Sequence, residues 1–256
     1  MTSVPVERQP PTLEEQARFY DDWNARYRAT TFDLVEPESR ARGEQVLKAL
    51  ALIGHNQRGA HDQPSILEVG CGTGWFAEKL AGIGKVTAID LSEQAIEIAR
   101  QRGLNVEFIA GDFNTIDLPA HAYDVAICME TITSIPDQPH FIARIASLVR
   151  PGGHLILTSV NTVVYRRRSD IGSALPGQVR RWLNRRELHQ ILRPAFRILH
   201  SRTFDPKGDM GFLRVVNSTK VNRLLERVFA PATITSAKEN LGLGHCRIIV
   251  AERLAD

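Results

Sequence analysis

Three acidic residues, Glu68, Asp90 and Asp112, stand at or near the ends of three short apolar runs, and the first is followed at once by glycines. Residues 65–75 read SILEVGCGTGW. Ile66 to Val69 has the composition of a buried strand, and it enters Gly70, Gly72 and Gly74 before a helix expected to open at Trp75. Without Cβ atoms the backbone can turn tightly at those positions, and a ligand can lie against it. The N–H groups of a first helical turn would then face the ligand with the positive end of the helix dipole behind them.

The departures from the dinucleotide fingerprint narrow the ligand. That fingerprint, G-x-G-x-x-G, ends in a glycine beneath a pyrophosphate, whereas this chain has Trp75 there. Glu68, inside the strand, would repel a diphosphate and welcome an amine. S-adenosylmethionine meets both conditions, because it presents an amine and a carboxylate at one end and a ribose diol and an exocyclic amine at the other. The stretch resembles the first motif of the class I S-adenosylmethionine-dependent methyltransferases, E-x-G-x-G-x-G, through Glu68, Gly70, Gly72 and Gly74, with Cys71 inside the turn.

The resemblance implies further site residues. A second strand over 85–89 ends in Asp90, placed for both ribose hydroxyls, with Leu91 beside it and Ser92 as helix N-cap. A third strand over 105–109 leads to Asp112, for the adenine amine, and Phe113, beside the ring. A fourth, 123–129, ends in Met129 and Glu130 at the carboxyl edge, where open α/β sheets bind ligands. The segment CMETITSIPD is similar to the corresponding stretch of the ubiquinone-pathway O-methyltransferases, except that Thr133 and Ser134 replace a Glu-His pair. RPGGHL, before a fifth strand ending at Asn161, is another family hallmark. Glu130 and Asn161 are the two candidates for orienting an acceptor, and no metal site is expected.

These elements must be held by one α/β domain. The chain has 256 residues, 43% of them hydrophobic, enough for one sizeable core. Alternating strands and helices predict a doubly wound, seven-stranded, mostly parallel sheet, and the resemblance makes the last strand antiparallel. Residues 1–12, with Pro5, Pro10 and Pro11, read as a disordered leader. Residues 13–64 are expected to form N-terminal helices, and the resemblance makes 65–161 the cofactor-binding core and 162–184 with 205–244 substrate-side insertions. The first helix, 13–28, carries Phe19, Tyr20, Trp23 and Tyr27 along one face, and the resemblance implies that it is a lid, with Tyr20 and Tyr27 its expected contacts. Helical spacing recurs within 211–229, with Pro231 as its stop.

The formal charge of +3, from 32 basic and 29 acidic residues, makes no global case for nucleic acid or membrane. His55 and His61 lack metal-ligand company. Three dispersed cysteines, Cys71, Cys128 and Cys246, give neither a disulfide framework nor a metal spacing, which fits a reducing cytoplasm. No apolar run approaches spanning length. Arg166, Arg167 and Arg168 open a basic insertion that would suit an anionic small-molecule acceptor through paired guanidinium bonds. The expected activity is methyl transfer to a small molecule, with oxygen as the first choice of atom over carbon or nitrogen. RNA or protein methylation is the alternative, and a non-catalytic S-adenosylmethionine-binding protein is the alternative from another class.

Overall fold

A computed structural model describes residues 10–28, 36–54 and 63–255, those at 27 and 28 without side-chain detail. The histidines at 55 and 61, the Tyr27 side chain and most of the proline-rich leader therefore lie outside the described residues.

Seven strands form one sheet: β1 (Ser65–Val69), β2 (Lys85–Asp90), β3 (Glu107–Ala110), β4 (Tyr123–Met129), β5 (Val149–Val160), β6 (Phe196–Pro206) and β7 (Gly244–Arg253). Their order is β3-β2-β1-β4-β5-β7-β6. The pairs among β1 to β5 are parallel, and β7 runs antiparallel between β5 and β6. The expected doubly wound fold with its reversed last strand is what the chain adopts.

Period-two alternation assigns each strand residue to a layer. Ile66, Val125, Ile127, Ile156 and Ile248 join a cluster with α2 (Pro37–Gly54), α3 (Ala77–Ala81) and α4 (Glu93–Arg100). Leu67, Val69, Ala126, Leu155 and Leu157 face the other way, onto α5 (Gln138–Leu148) and α7 (Arg185–Leu192). Both faces are thus covered, which is why β1 and β4 read as continuous apolar runs. Glu68 shares the parity of Ile66 and is carried inside the first layer.

Sequence boundaries shift where a local rule meets a tertiary one. The helix after the glycine turn begins at Ala77, two residues past Trp75. Strand β5 pairs with Tyr123 from Val149 onward, and the Pro-Gly-Gly triplet is absorbed as a register shift inside the strand. Pro231 does not stop a helix but starts α10 (Pro231–Asn240). A proline at the first helical position loses only an N–H that has no intrahelical acceptor. It follows two short helices, α8 (Phe212–Val216) and α9 (Thr219–Leu225).

The N-terminal helix α1 (Leu13–Trp23) opens on a capping box. Thr12 Oγ1 accepts from Glu15 N, and Glu15 accepts from Thr12 N at 2.7 Å. A single π turn, Asn24–Arg28, continues it. Between β5 and α7 the only regular piece is α6 (Thr162–Tyr165).

Candidate active site

The carboxyl ends of β1, β2 and β4 open into a cavity of about 560 Å³, roofed by α1. Glu68, Gly70, Cys71, Gly72, Asp90, Leu91, Asp112, Phe113, Met129 and Glu130 all line it, with Tyr20, Trp23 and Asn24 from the N-terminal segment.

The cradle is built tightly at its first glycine. Gly70 has φ +79°, and a Cβ there would lie 2.0 Å from Thr131 Oγ1. That hydroxyl donates to Val69 O at 2.9 Å, so it is held in place. Gly74 behaves differently from expectation, since it does not line the cavity. A Cβ on it would meet Ala99 and Phe108 at 3.0 Å, so this glycine serves close packing of the turn on α4 and β3. Asp90 braces the same turn, accepting from Gly72 N at 2.7 Å and Ser92 N at 2.9 Å.

Glu68 is the electrostatic centre of the pocket. It is only 2% exposed, and neither carboxylate oxygen has a hydrogen-bond partner among the described residues. Burial, with the Asp90 charge adding to it, pushes its carboxyl up to about 8. A buried acid in that state is a site waiting for a cation. Cys71, beside it, has its thiol pushed well up by burial and the same carboxylates.

Helix α1 is held over this site by side chains. Tyr20 donates to Ser134 Oγ at 2.6 Å, and burial raises the Tyr20 phenol. Asp21 Oδ1 accepts from Ser92 Oγ at 2.7 Å, and Asn24 donates to the same hydroxyl at 3.3 Å. Phe19 stacks on Trp23 at 6.1 Å. The insertion after β5 backs the helix, because Gly177 comes against Glu15 O and Phe19, and Arg181 N donates to Thr133 O at 2.8 Å.

The two acceptor-orienting candidates part company. Glu130 ends β4 with a left-handed φ of 63° and lines the cavity. Arg42 Nε, from α2, lies 3.6 Å from its Oε1, and neither atom has a hydrogen-bond partner among the described residues. Asn161 is committed to backbone instead. Its Nδ2 donates to Gly242 O and Gly244 O at 2.7 Å each, and its Oδ1 accepts from Val163 N.

The arginines at 166 to 168 do not line the cavity either. Arg167 donates to Val163 O and lies over the Phe212 ring. Arg168 bonds Glu38 at 3.0 Å, His245 Nε2 at 2.8 Å and the Asp170 carboxylate. Since an arginine can only donate, His245 Nε2 accepts and the ring proton is assigned to Nδ1, towards Asp205 at 3.8 Å. Glu38, Asp205 and His245 could place ligand atoms within 4.8 Å of one another. Lys207 already reaches both carboxylates, at 2.7 and 2.8 Å, supplying with Arg168 the positive charge that a metal would bring. Among the described residues no helix is long and apolar enough to cross a membrane.

Arg42, Ser39 and Thr131 line the cavity without having been singled out in the sequence. Arg42 and Ser39 stand among Glu38, Arg40, Glu44 and Gln45 in the first half of α2, so the sequence offers no signal that sets them apart.

Comparison with known proteins agrees with this geometry. Residues 66–153 match the family model described as a methyltransferase domain. A ubiquinone biosynthesis O-methyltransferase of Coxiella burnetii is 31% identical over 157 residues, 58% of this chain and 62% of that protein. One of Serratia proteamaculans is 36% identical over 106 residues, 38% and 43% of the respective chains. The chain thus matches less than two thirds of the length of these relatives. Among solved structures, the [4+2]-cyclase SpnF superposes with a TM-score of 0.65 at 20% identity, over 97% of this chain and 99% of that one. The N-methyltransferase NodS from Bradyrhizobium japonicum, solved with S-adenosyl-L-homocysteine, gives 0.61 at 19% identity, over 94% and 100%. Residues 66–153 thus resemble a methyltransferase domain, carried on a fold that the chain shares over nearly its whole length with these solved structures.

Proposed function

We propose that this protein transfers the methyl group of S-adenosylmethionine to a small-molecule acceptor, with an oxygen of a quinone-like or secondary metabolite as the methylated atom. The observation that carries the reading is the orphaned, buried Glu68 at the floor of a cavity walled by Gly70, Asp90 and Asp112. The names of the O-methyltransferase relatives support the oxygen, and a cavity of about 560 Å³ is of small-molecule size.

In this reading Glu68 meets the ammonium end, Asp90 the ribose hydroxyls, Asp112 the adenine amine, and Phe113, Leu91 and Met129 flank the ring. The bound cofactor supplies a methyl group already activated by a sulfonium, so the protein's main task is alignment. Tyr20 and Trp23 close the roof against water, and Glu130 holds the acceptor hydroxyl from the carboxyl edge with Arg42 beside it. Arg42 is the single cation among the described lining residues, which also include Glu68, Asp90, Asp112, Glu130 and Asp137. That balance suits an uncharged acceptor better than the anionic one suggested by the insertion arginines.

A second reading is cofactor binding without methyl transfer. Its support is the likeness of the fold to the [4+2]-cyclase SpnF, together with Thr133 and Ser134, whose hydroxyls are engaged by Glu130 O and Tyr20. Incubation with methyl-labelled cofactor and a cell extract separates these readings. Label in small molecules is expected; label in RNA or protein would replace the acceptor class, and tight cofactor binding with no transfer would favour the second reading.

A further inference from the structure

We infer that the helical insertion between β6 and β7 docks the protein on an anionic phospholipid surface. The inference is independent of the proposed activity. It starts from α9 and the hydrogen-bonded turn that follows it. Ser218 caps it through Val221 N, and the backbone bonds Asn222 N to Ser218 O, Glu226 N to Asn222 O and Phe229 N to Leu225 O carry the helical turn on to Phe229.

Along that run Val221, Leu224, Leu225, Val228 and Phe229 fall at i, i+3, i+4, i+7 and i+8, the spacing of one apolar face. Such a face normally packs on a core. Here α9 buries no residue, and Leu224, Val228 and Phe229 are 61%, 75% and 50% exposed. The neighbouring α8 adds Phe212 and Val215, 47% and 63% exposed. Lys220, Arg223 and Arg227 repeat at i, i+3 and i+7, so a row of exposed cations runs alongside the apolar face. Between residues 210 and 230 the only acid is Glu226, against Arg214 and these three cations.

The pairing of the two rows selects the occupant. An apolar groove on a partner would seat the stripe and leave the cations unanswered, whereas RNA would answer the cations and leave the stripe in water. A second copy of this chain, meeting it face to face, would set cation row against cation row. An anionic bilayer takes both at one depth, with aliphatic and aromatic groups at the acyl boundary and guanidinium groups among phosphates. The insertion also leaves the sheet at the edge on which the cradle opens, from the outermost strand. Strands β5 and β6 are each antiparallel to β7, so β6 ends at the same edge as β5.

The test is co-sedimentation of the full chain with phosphatidylcholine vesicles, with and without phosphatidylglycerol. We expect binding only when phosphatidylglycerol is present, weakening as salt rises. Arg223→Gln with Arg227→Gln should lower the partition coefficient on the order of tenfold or more, at about 1 kcal/mol per cation. Leu224→Ser with Val228→Ser should abolish binding. Both pairs are exposed, so thermal melts and affinity for S-adenosylhomocysteine should stay at wild-type values and show that the variants fold. Failure to bind these vesicles, or equal binding by wild type and both variants, would overturn the inference. So would a stripe variant that changes the oligomeric state in solution without any vesicle binding by the wild type.

Discussion

Replacing Glu68 by Gln should change how stability depends on pH in a way that no exposed carboxylate could. In the unfolded chain the Glu68 carboxyl loses its proton near 4.5, whereas inside the fold, at 2% exposure, it keeps it to about 8. Between those values the folded state holds a proton that the unfolded state has lost. Its contribution is therefore fully present below 4.5, declines as pH rises, and is gone once pH passes about 8. A gap of about 3.5 units at 1.36 kcal/mol each sets a ceiling of about 5 kcal/mol on that decline. Gln has no proton to lose, so its stability curve should lack this component. Its amide adds unsatisfied donors at a cost of about 1 to 3 kcal/mol at every pH, so the slopes are compared rather than the absolute values. Urea titrations of both proteins without cofactor, from pH 5 to pH 9, measure the difference directly. A cofactor ammonium beside Glu68 would stabilise the carboxylate, so binding at pH 7 should release close to one proton in the wild type and none through this position in the variant. Calorimetry in buffers of different ionisation enthalpy reads that number. Parallel stability curves for the two proteins would refute the argument that Glu68 is held neutral in the empty pocket.

Three further substitutions test other parts of the site. Gly70→Ala combines a left-handed backbone, about 1 to 2 kcal/mol, with overpacking against Thr131, about 1 to 3 kcal/mol; chemical denaturation should show a loss of about 2 to 5 kcal/mol, of which Thr131→Ala in the same protein recovers only the packing part. Tyr20→Phe removes the bond to Ser134, about 1 kcal/mol, and should raise amide exchange across α1 and weaken cofactor binding by up to about fivefold; unchanged exchange would mean that α1 is held by its other contacts. Arg168→Ala removes one of the cations on the partly buried Glu38, which keeps Lys207, and should cost about 1 kcal/mol of stability while cofactor affinity holds; a selective rise in acceptor KM in a protein of wild-type stability would instead return this arginine to the substrate site.

What the sequence determined about this protein is whatever depends on residues close together along the chain. The alternation that buries both faces of β1 and β4, the glycines after Val69, Ser92 as an N-cap and the acids at strand ends all follow from local periodicity and backbone sterics. The same rule that made Ile66 a core residue placed Glu68, two residues on, inside that core. Tertiary structure decided the matters that turn on what meets what across the fold. Gly74 matches the ligand motif yet serves packing, because Phe108 and Ala99 occupy the space beside it. Arg168 looked available for an acceptor, but Glu38, 130 positions away, arrives to take it. Arg42 carried no motif and nonetheless faces Glu130, and Tyr20 finds a hydroxyl 114 positions on. A charged or hydroxylated side chain has many partners of equal chemistry in the sequence, and only the folded chain selects which one comes within reach.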